Sequence, residues 1–509
     1  MLTTAPTRPA RSWRAALAGL LLLGAATRLV RLTVLPAFLD ETWYISWSQK
    51  LTAGMSLVRP WLAGKGLPIF LNALVLPLAG GHDLAASRAV TVALSLLTVA
   101  AVFFLARRLY DDRTAVVAAL FYVFCPFALF HDRLFLADAA LTAFFSLALV
   151  ASIDLARSGR RRDGVLCGLA LALATLSKAN GVLLLFVPAA AWLALARPLR
   201  RSAAALAAAG AVALALLAVP MWVFVRGTDA VRVSLGGGEP PLGRVARNLP
   251  LLAEWLWTWG TAPLVVLAAA AVTLAFVRRH APSLFLASVA LLPLAALVLT
   301  ATTWYPRYVH FVAVPALALA AHALVRLVDA LPARAAPSGS ARAAVLAGAT
   351  LAALAPALAD DWRVWTDPLR ARMPATDRFQ YVEGWPSGYG PRETVALVRR
   401  ERERRPEGLT VVLRSRAVPP TQLALAVSFR RDPGVRLEDL PLDDAERSLP
   451  LLEQWARERP TLVVVSLVDG GHRLPTGTWG GLRVEPVGET RKPGGEPCDA
   501  VYRVAPLER

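Results

Sequence analysis

The sequence predicts an α-helical polytopic membrane protein with a small soluble α/β domain at its C-terminal end, and three observations predict it. Hydrophobic residues fill 56% of the 509 positions and mean hydropathy is +0.50, which is too apolar for a soluble enzyme. Long apolar segments alternate with short arginine-bearing connections as far as residue 359. Beyond it charged residues become frequent and the apolar runs shrink to strand length. The expected division is therefore 1–359 in the membrane and 360–509 outside it.

Residues 1–14 are basic, with Arg8, Arg11 and Arg14, and lead into an apolar run from Ala15 to Val34 that no small-residue cleavage site follows. It is expected to be an uncleaved first helix. Apolar segments at 85–105, 114–130, 139–155, 164–176, 181–196, 203–225, 262–277, 283–302, 309–328 and 343–359 bring the expected transmembrane helices to about eleven, several of them short. Arginines gather on alternate connections: Arg107/Arg108/Arg113, Arg157/Arg160/Arg161/Arg162, Arg197/Arg200/Arg201, Arg278/Arg279 and Arg334/Arg342. The positive-inside rule makes these connections cytoplasmic.

That alternation holds only if the run from Leu67 to Ala79 does not cross. It is short and contains Pro68 and Pro77, so it is expected to lie along the outer interface. The connections Pro36–Leu84, His131–Asp138, Ser177–Asn180, Arg226–Thr261 and Thr303–Tyr308 are then external. Trp255, Trp257 and Trp259 read as an interfacial aromatic belt. An odd number of spans puts the C-terminal domain on the same side. Its expected strands at Leu409–Leu413 and Thr461–Leu467 alternate with amphipathic stretches at Glu393–Glu403 and Asp444–Arg457.

A net charge of +19 in a soluble protein points to nucleic acid; here most of the arginines before residue 343 are topology signals, and no nucleic-acid partner is expected. Cys125, Cys167 and Cys498 have neither disulfide nor zinc spacing. Cations are written almost wholly as arginine, since Lys50, Lys65, Lys178 and Lys492 are the only lysines.

Each connection expected outside carries charge at membrane depth: Asp40 and Glu41, Lys65, Arg133 with Asp138, Lys178, and Arg307 beside Tyr308. Ionisable groups there are costly unless paired or in a wet cavity, which makes them candidate site residues. Arg28, Arg31 and Arg88 are read instead as snorkelling side chains. Arg133 has two open readings, a structural pair with Asp138 or a substrate contact. His131 and Asp132 do not make a metal site, and none is expected.

In order, Leu39-Asp40-Glu41-Thr42-Trp43-Tyr44, Lys65-Gly66-Leu67-Pro68, Arg133 to Asp138, Leu176-Ser177-Lys178 and Tyr305-Pro306-Arg307-Tyr308 followed by Pro315 resemble the successive motifs of the GT-C glycosyltransferases. The protein O-mannosyltransferases and lipid A aminoarabinose transferases are the nearest in pattern, over about residues 15–330. Two motifs depart from the pattern, since Lys-Pro-Pro is here Lys65-Gly66-Leu67-Pro68 and Lys-Gly is Lys178-Ala179-Asn180-Gly181. The resemblance implies a multi-pass enzyme of the inner or plasma membrane, its active site extracytoplasmic. It would transfer a sugar from a polyprenyl-phosphate donor to a cell-envelope glycan, lipid or protein, with Asp40 as base. Tyr381 to Gly390 resembles a segment of some bacterial members with an external tail, and reads locally as a glycine-rich turn.

The residue types suit that chemistry on their own account. A polyprenyl-phosphate sugar already carries a good leaving group, so its departure needs cations around the phosphate rather than a carboxylic acid. The acceptor hydroxyl is a weak nucleophile and needs one positioned base. One carboxylate with several Lys and Arg is the expected set, in contrast to the paired carboxylates of glycosidases. Glu41 and Asp138 are placed as groups that orient the base or the sugar hydroxyls. Lys65, Arg133, Lys178, Arg307 and Tyr308 are placed at the substrate, with Lys65 and Arg307 foremost for the phosphate. No cofactor is expected, with assistance by a divalent metal left open. The alternative is a transporter or flippase for a lipid-linked sugar, against which stand the one-sided cations and the lack of an internal repeat.

Overall fold

Runs of alanine, leucine and valine with few breakers make helix the dominant element up to Thr366. The computed structural model of the chain describes residues 11–56, 58–196, 198–227, 240–332, 334, 338–414, 420–440, 445–468 and 471–507. In chain order its helices are α1 (Arg11–Leu29), α2 (Leu39–Thr52), α3 (Val58–Leu62), α4 (Gly66–Val75), α5 (Asp83–Leu109) and α6 (Asp112–Val123). Then come α7 (Pro126–Asp132), α8 (Ala137–Ser158), α9 (Arg161–Ser177), α10 (Val187–Leu195), α11 (Leu199–Gly227) and α12 (Pro241–Trp259). The last of the apolar half are α13 (Ala262–Arg278), α14 (Ala281–Thr300), α15 (Ala313–Asp329) and α16 (Gly339–Thr366).

Among the described residues, six helices are long and apolar enough to cross a membrane: α5, α8, α11, α14, the stretch Pro306–Asp329 that ends in α15, and α16. The pair α6 and α7, bent by 61° at its break, makes a seventh if it is one span. Gly66–Leu78, Ala179–Leu195 and Ala262–Arg278 are apolar but shorter. The count of about eleven in the sequence is thus a count of apolar segments, some of which the chain breaks. Pro126 starts a new helix after α6, and Ala179–Leu184 is a 3₁₀ turn leading to α10.

Two compact units form. The first comprises Met1–Leu32, Ser56–Leu71 and Arg88–Pro374. Its core holds Phe103, Phe121, Phe145, Phe285 and Leu319. α9 approaches α11 closely enough that a Cβ on Gly164 or Gly168 would stand 2.0 or 2.4 Å from the carbonyl oxygens of Ala205 and Ala209. This is the small-residue spacing by which membrane helices pack without a hydrophobic driving force.

The second unit comprises Thr33–Met55, Asn72–Ser87 and Ala375–Arg509. It holds a six-stranded mixed sheet of β1 (Leu409–Arg414), β2 (Val435–Leu440), β3 (Thr461–Ser466), β4 (Gly477–Trp479), β5 (Leu482–Arg491) and β6 (Pro497–Pro506), in the order β2-β1-β3-β6-β5-β4. β1 is parallel to β2 and β3, and β6 and β5 continue antiparallel. Helices α17 (Pro391–Glu403), α18 (Pro420–Phe429) and α19 (Ala445–Glu458) cover it. Alternate strand residues divide between two cores: Val412, Val463 and Val465 join Leu452 and Trp455, whereas Val411, Leu413, Leu462 and Val464 join Val395, Val398 and Leu425. Both faces of β3 are therefore covered, which is why Thr461-Leu-Val-Val-Val-Ser466 reads as one continuous apolar run.

Candidate active site

In the first unit, Lys178 follows the last residue of α9, and its Nζ lies 2.5 Å from Oδ1 of Asp138 in the first turn of α8. The same ammonium stands 4.0 Å from the centre of the Tyr308 ring, a cation–π contact. Tyr308 and Arg307 sit in the 3₁₀ turn Pro306–Val312, where the Arg307 guanidinium carbon is 4.8 Å from the Tyr305 ring centre and 5.6 Å from that of Tyr308. The Ala179 N–H donates to the Gly64 carbonyl at 2.9 Å, tying the turn after Lys178 to the one before Lys65. Lys65 and Arg307 both act electrostatically on the Lys178 charge. Lys65, Asp138, Lys178, Arg307 and Tyr308 are thus gathered from four separate stretches of chain.

Arg133 takes a different partner from the one weighed in the sequence. Asp138 is engaged by Lys178, and Nη2 of Arg133 instead donates to the carbonyls of Val30 and Arg31 at 2.7 and 2.9 Å. Arg31 has φ of 46°, so the chain leaves α1 through a left-handed turn, and the guanidinium satisfies the carbonyls exposed there.

The snorkelling reading of Arg28 is corrected. Arg28 is fully buried, its Nε and Nη2 donating to Oδ2 of Asp132 at 3.2 and 3.1 Å and its Nη groups to the carbonyls of Val123 and Tyr122. With all these acceptors inside the unit, the guanidinium is satisfied without reaching an interface. Arg88 is buried as well and donates to the Leu32 carbonyl at 2.9 Å. Arg31 alone of the three is exposed.

The aromatic belt is corrected in part: Trp255 and Trp259 are buried, while Trp257 is 63% exposed. Residues four apart share a helix face and the one between them points away. The two buried indoles line an apolar cavity of about 240 Å³ together with Phe127, Leu264 and Val309.

In the second unit, α2 begins at Leu39, which places Asp40 and Glu41 in its first turn, where carboxylates complement the helix dipole. Glu41 is buried and its Oε2 accepts from the Phe38 N–H at 3.0 Å, the return half of a capping box. Asp40 is half-buried.

The residues before Asp40 are held by the Tyr381–Gly390 segment, whose sequence reads as a glycine-rich turn. The Leu39 N–H donates to the Pro386 carbonyl at 3.0 Å, and the Phe38 and Tyr381 rings are 4.8 Å apart. Gly388 lets the backbones meet, since a Cβ there would stand 2.2 Å from the Ala37 carbonyl oxygen. Lys492, between β5 and β6, fastens that segment from behind. Its buried ammonium donates to the carbonyls of Ser387 and Tyr389 at 2.8 Å each and of Trp385 at 3.4 Å. Burial lowers its pKa below the ordinary lysine value. Among the described residues no group of three or more His, Cys, Asp or Glu is placed to hold a metal ion.

Residues 67–224 match the sequence model of the dolichyl-phosphate-mannose-protein mannosyltransferase family. No curated protein matches the chain. Among solved structures, ArnT from Cupriavidus metallidurans bound to undecaprenyl phosphate is similar over 97% of this chain and 98% of its own, with a TM-score of 0.59 at 15% identity. Its apo state gives a TM-score of 0.61 over 96% and 97%. The oligosaccharyltransferase AglB from Archaeoglobus fulgidus, in complex with an inhibitory peptide and a dolichol-phosphate, follows at 0.51 and 13% identity, over 90% of this chain and 69% of its own. The chain has the GT-C fold. The family match within this GT-C chain contains Arg133, Asp138 and Lys178, whereas Asp40, Lys65 and Arg307 lie outside it.

Sequence reasoning passed over His310 in the GT-C membrane half and weighed Asp132 only as a metal ligand beside His131. His310 Nε2 is 3.6 Å from Asp132 Oδ1, and its Nδ1 is 3.3 Å from the Thr142 hydroxyl. The usable signal was the depth of His310 inside an apolar run two residues beyond the Tyr-Pro-Arg-Tyr motif.

Proposed function

We propose that this GT-C protein is an integral-membrane glycosyltransferase that moves a sugar from a polyprenyl-phosphate donor to a glycan, lipid or protein on the extracytoplasmic side. The observation that carries the reading is the convergence of Lys65, Lys178 and Arg307 in the first unit, two of them buried. A phosphate that leaves in the transition state is stabilised by fixed cations, and those cations are worth most where water is excluded. The apolar cavity beside Phe127 and Trp259 suits a prenyl tail. A family named for a dolichyl-phosphate sugar and an ArnT structure containing undecaprenyl phosphate agree with that donor class.

In this reading Lys65 and Arg307 hold the phosphate. Asp138 and Tyr308 fix Lys178 for the same group, and Asp40 takes the proton from the acceptor hydroxyl. Arg133 shapes the exit of α1, and Glu41 orients the first turn of α2 that carries Asp40. Purified protein in detergent, given polyprenyl-phosphate sugars and cell-envelope fractions, should release polyprenyl phosphate and label an acceptor. Lys65→Ala and Arg307→Ala should each weaken donor binding by about 1.5–3 kcal/mol, read by calorimetry. Unchanged affinity in both variants would move the phosphate site elsewhere.

The same reading puts both ends of α4 outside. The helical segment Gly66–Leu78 is about 20 Å long at 1.5 Å per residue, less than the roughly 30 Å of bilayer hydrocarbon. Cysteines are best placed at Ala63 and His82, because Gly64, Gly80 and Gly81 all have positive φ. An impermeant thiol reagent added outside should label both Ala63→Cys and His82→Cys. Labelling of one from outside and the other only after the cytoplasmic face is opened would make this segment a crossing.

A further inference from the structure

One face of α2 leads away from the candidate base into a cavity that the mechanism above does not use. At 100° per residue, Asp40, Trp43, Trp47 and Lys50 fall within an arc of about 80°, and Trp47 lies about 10 Å along the axis from Asp40. Trp43 and Trp47 pack edge to face, with ring centres 5.8 Å apart and planes at 79°, and both are half-buried. With Ser46, Lys50, Gln422 and Arg430 they line a cavity of about 340 Å³ between α2 and α18.

The charged groups there are of one sign. Lys50 and Arg430 are exposed, and among the described residues neither forms an ion pair. Among the described residues no carboxylate lines the cavity; two lie one side chain away, Gln422 Nε2 donating to Oδ1 of Asp439 at 2.7 Å and Gln49 Nε2 to Oδ2 of Asp83 at 2.6 Å. Two indoles offer flat apolar faces, Leu423, Ala426 and Leu437 complete the apolar wall, and Ser46, Gln49 and Gln422 add hydroxyl and amide groups beside the two cations.

We infer that this cavity binds an anionic saccharide, with sugar rings against Trp43 and Trp47 and an acidic substituent against Lys50 and Arg430. The inference rests on the glycosyltransferase reading for its meaning: a saccharide held on this face is the acceptor, its terminal hydroxyl delivered along α2 toward Asp40. A lipid chain could meet the apolar wall of Leu423, Ala426 and Leu437 but would leave Lys50 and Arg430 unanswered. A neutral glycan would leave both charges unanswered.

The test is calorimetry on the full-length protein in detergent without donor, using tetragalacturonate as the anionic probe and maltotetraose as the neutral one. Tetragalacturonate should bind saturably and more tightly than maltotetraose. Its affinity should fall about tenfold or more in Trp47→Ala, as for loss of an aromatic anchor, and also in Arg430→Gln. Trp47→Phe should keep most of it, which guards against a variant that merely misfolds. Absence of saturable binding would overturn the inference. So would binding indifferent to Trp47→Ala, since that is unspecific attraction to a chain of net charge +19. Cleavage of a polyprenyl-phosphate sugar by the wild type, with cell-envelope fractions supplying the acceptor hydroxyl, is measured separately. Cleavage without saccharide binding removes this inference alone, and Trp47-dependent binding without cleavage removes the transferase reading instead.

Discussion

Asp40→Asn is expected to lower turnover about a hundred- to ten-thousandfold while donor binding persists, the range in which a positioned general base contributes. Asparagine keeps the shape and the acceptor oxygen but cannot take a proton. Donor affinity should hold because the cations proposed for the phosphate come from other stretches of chain. The neighbouring carboxylate supplies the control. Glu41 is buried and its Oε2 accepts from the Phe38 N–H, so Glu41→Gln retains an acceptor for that bond and should lower turnover far less. Steady-state transfer rates and donor calorimetry on the two variants separate the roles. An Asp40→Asn protein turning over near the wild-type rate would remove Asp40 as base and leave Glu41 or Asp138. If Asp40 served only the fold, the cost would appear as about 1 kcal/mol of stability, as for a lost helix cap, with no selective loss of turnover.

The same segment shows what the sequence could and could not convey. The carboxylates at 40 and 41 were readable, and so was the unusual lysine at 178 in a chain that otherwise writes arginine. Their partners were not readable. Asp138 lies 40 residues before Lys178, and Arg133, which looked the nearer match, donates to backbone carbonyls just beyond α1 that carry no sequence signature. Lys492 is a similar case, since all three of its acceptors are carbonyls of a distant turn.

In the C-terminal half, β1 and β3 stood out because both faces are covered and their residues are uniformly apolar. The hairpin of β5 and β6 did not. β5 has exposed charged residues on one face, and its pairing is interrupted between Pro486 and Gly488, which breaks the alternation that marks a strand. At Trp255, Trp257 and Trp259 the spacing of four sets the first and third on one helix face, which is the buried one.

Removing the Arg28 guanidinium should be the most damaging single change to the membrane unit. Arg28 and Asp132 are both fully buried, and the ion pair is reinforced by Tyr122, whose hydroxyl donates to Asp132 Oδ1 at 3.3 Å. A buried pair adds little compared with apolar side chains of the same volume, because the desolvation of both ions offsets their attraction. Breaking it from one side is different, since the carboxylate left behind keeps its desolvation cost and loses its counter-charge. Arg28→Met should therefore cost about 3–5 kcal/mol. The double variant Arg28→Met with Asp132→Leu should recover much of that loss. The two residues touch, so their effects should be strongly non-additive, unlike those of distant sites. Thermal unfolding in detergent, followed by size-exclusion chromatography across the cycle, measures the coupling. Arg28→Met with wild-type stability would mean that the guanidinium reaches an interface after all, and the buried pair would have to be abandoned. Recovery in the double variant, together with loss of sugar transfer, would give the pair a second role in holding His310, 3.6 Å from Asp132, beside the motif that carries Arg307.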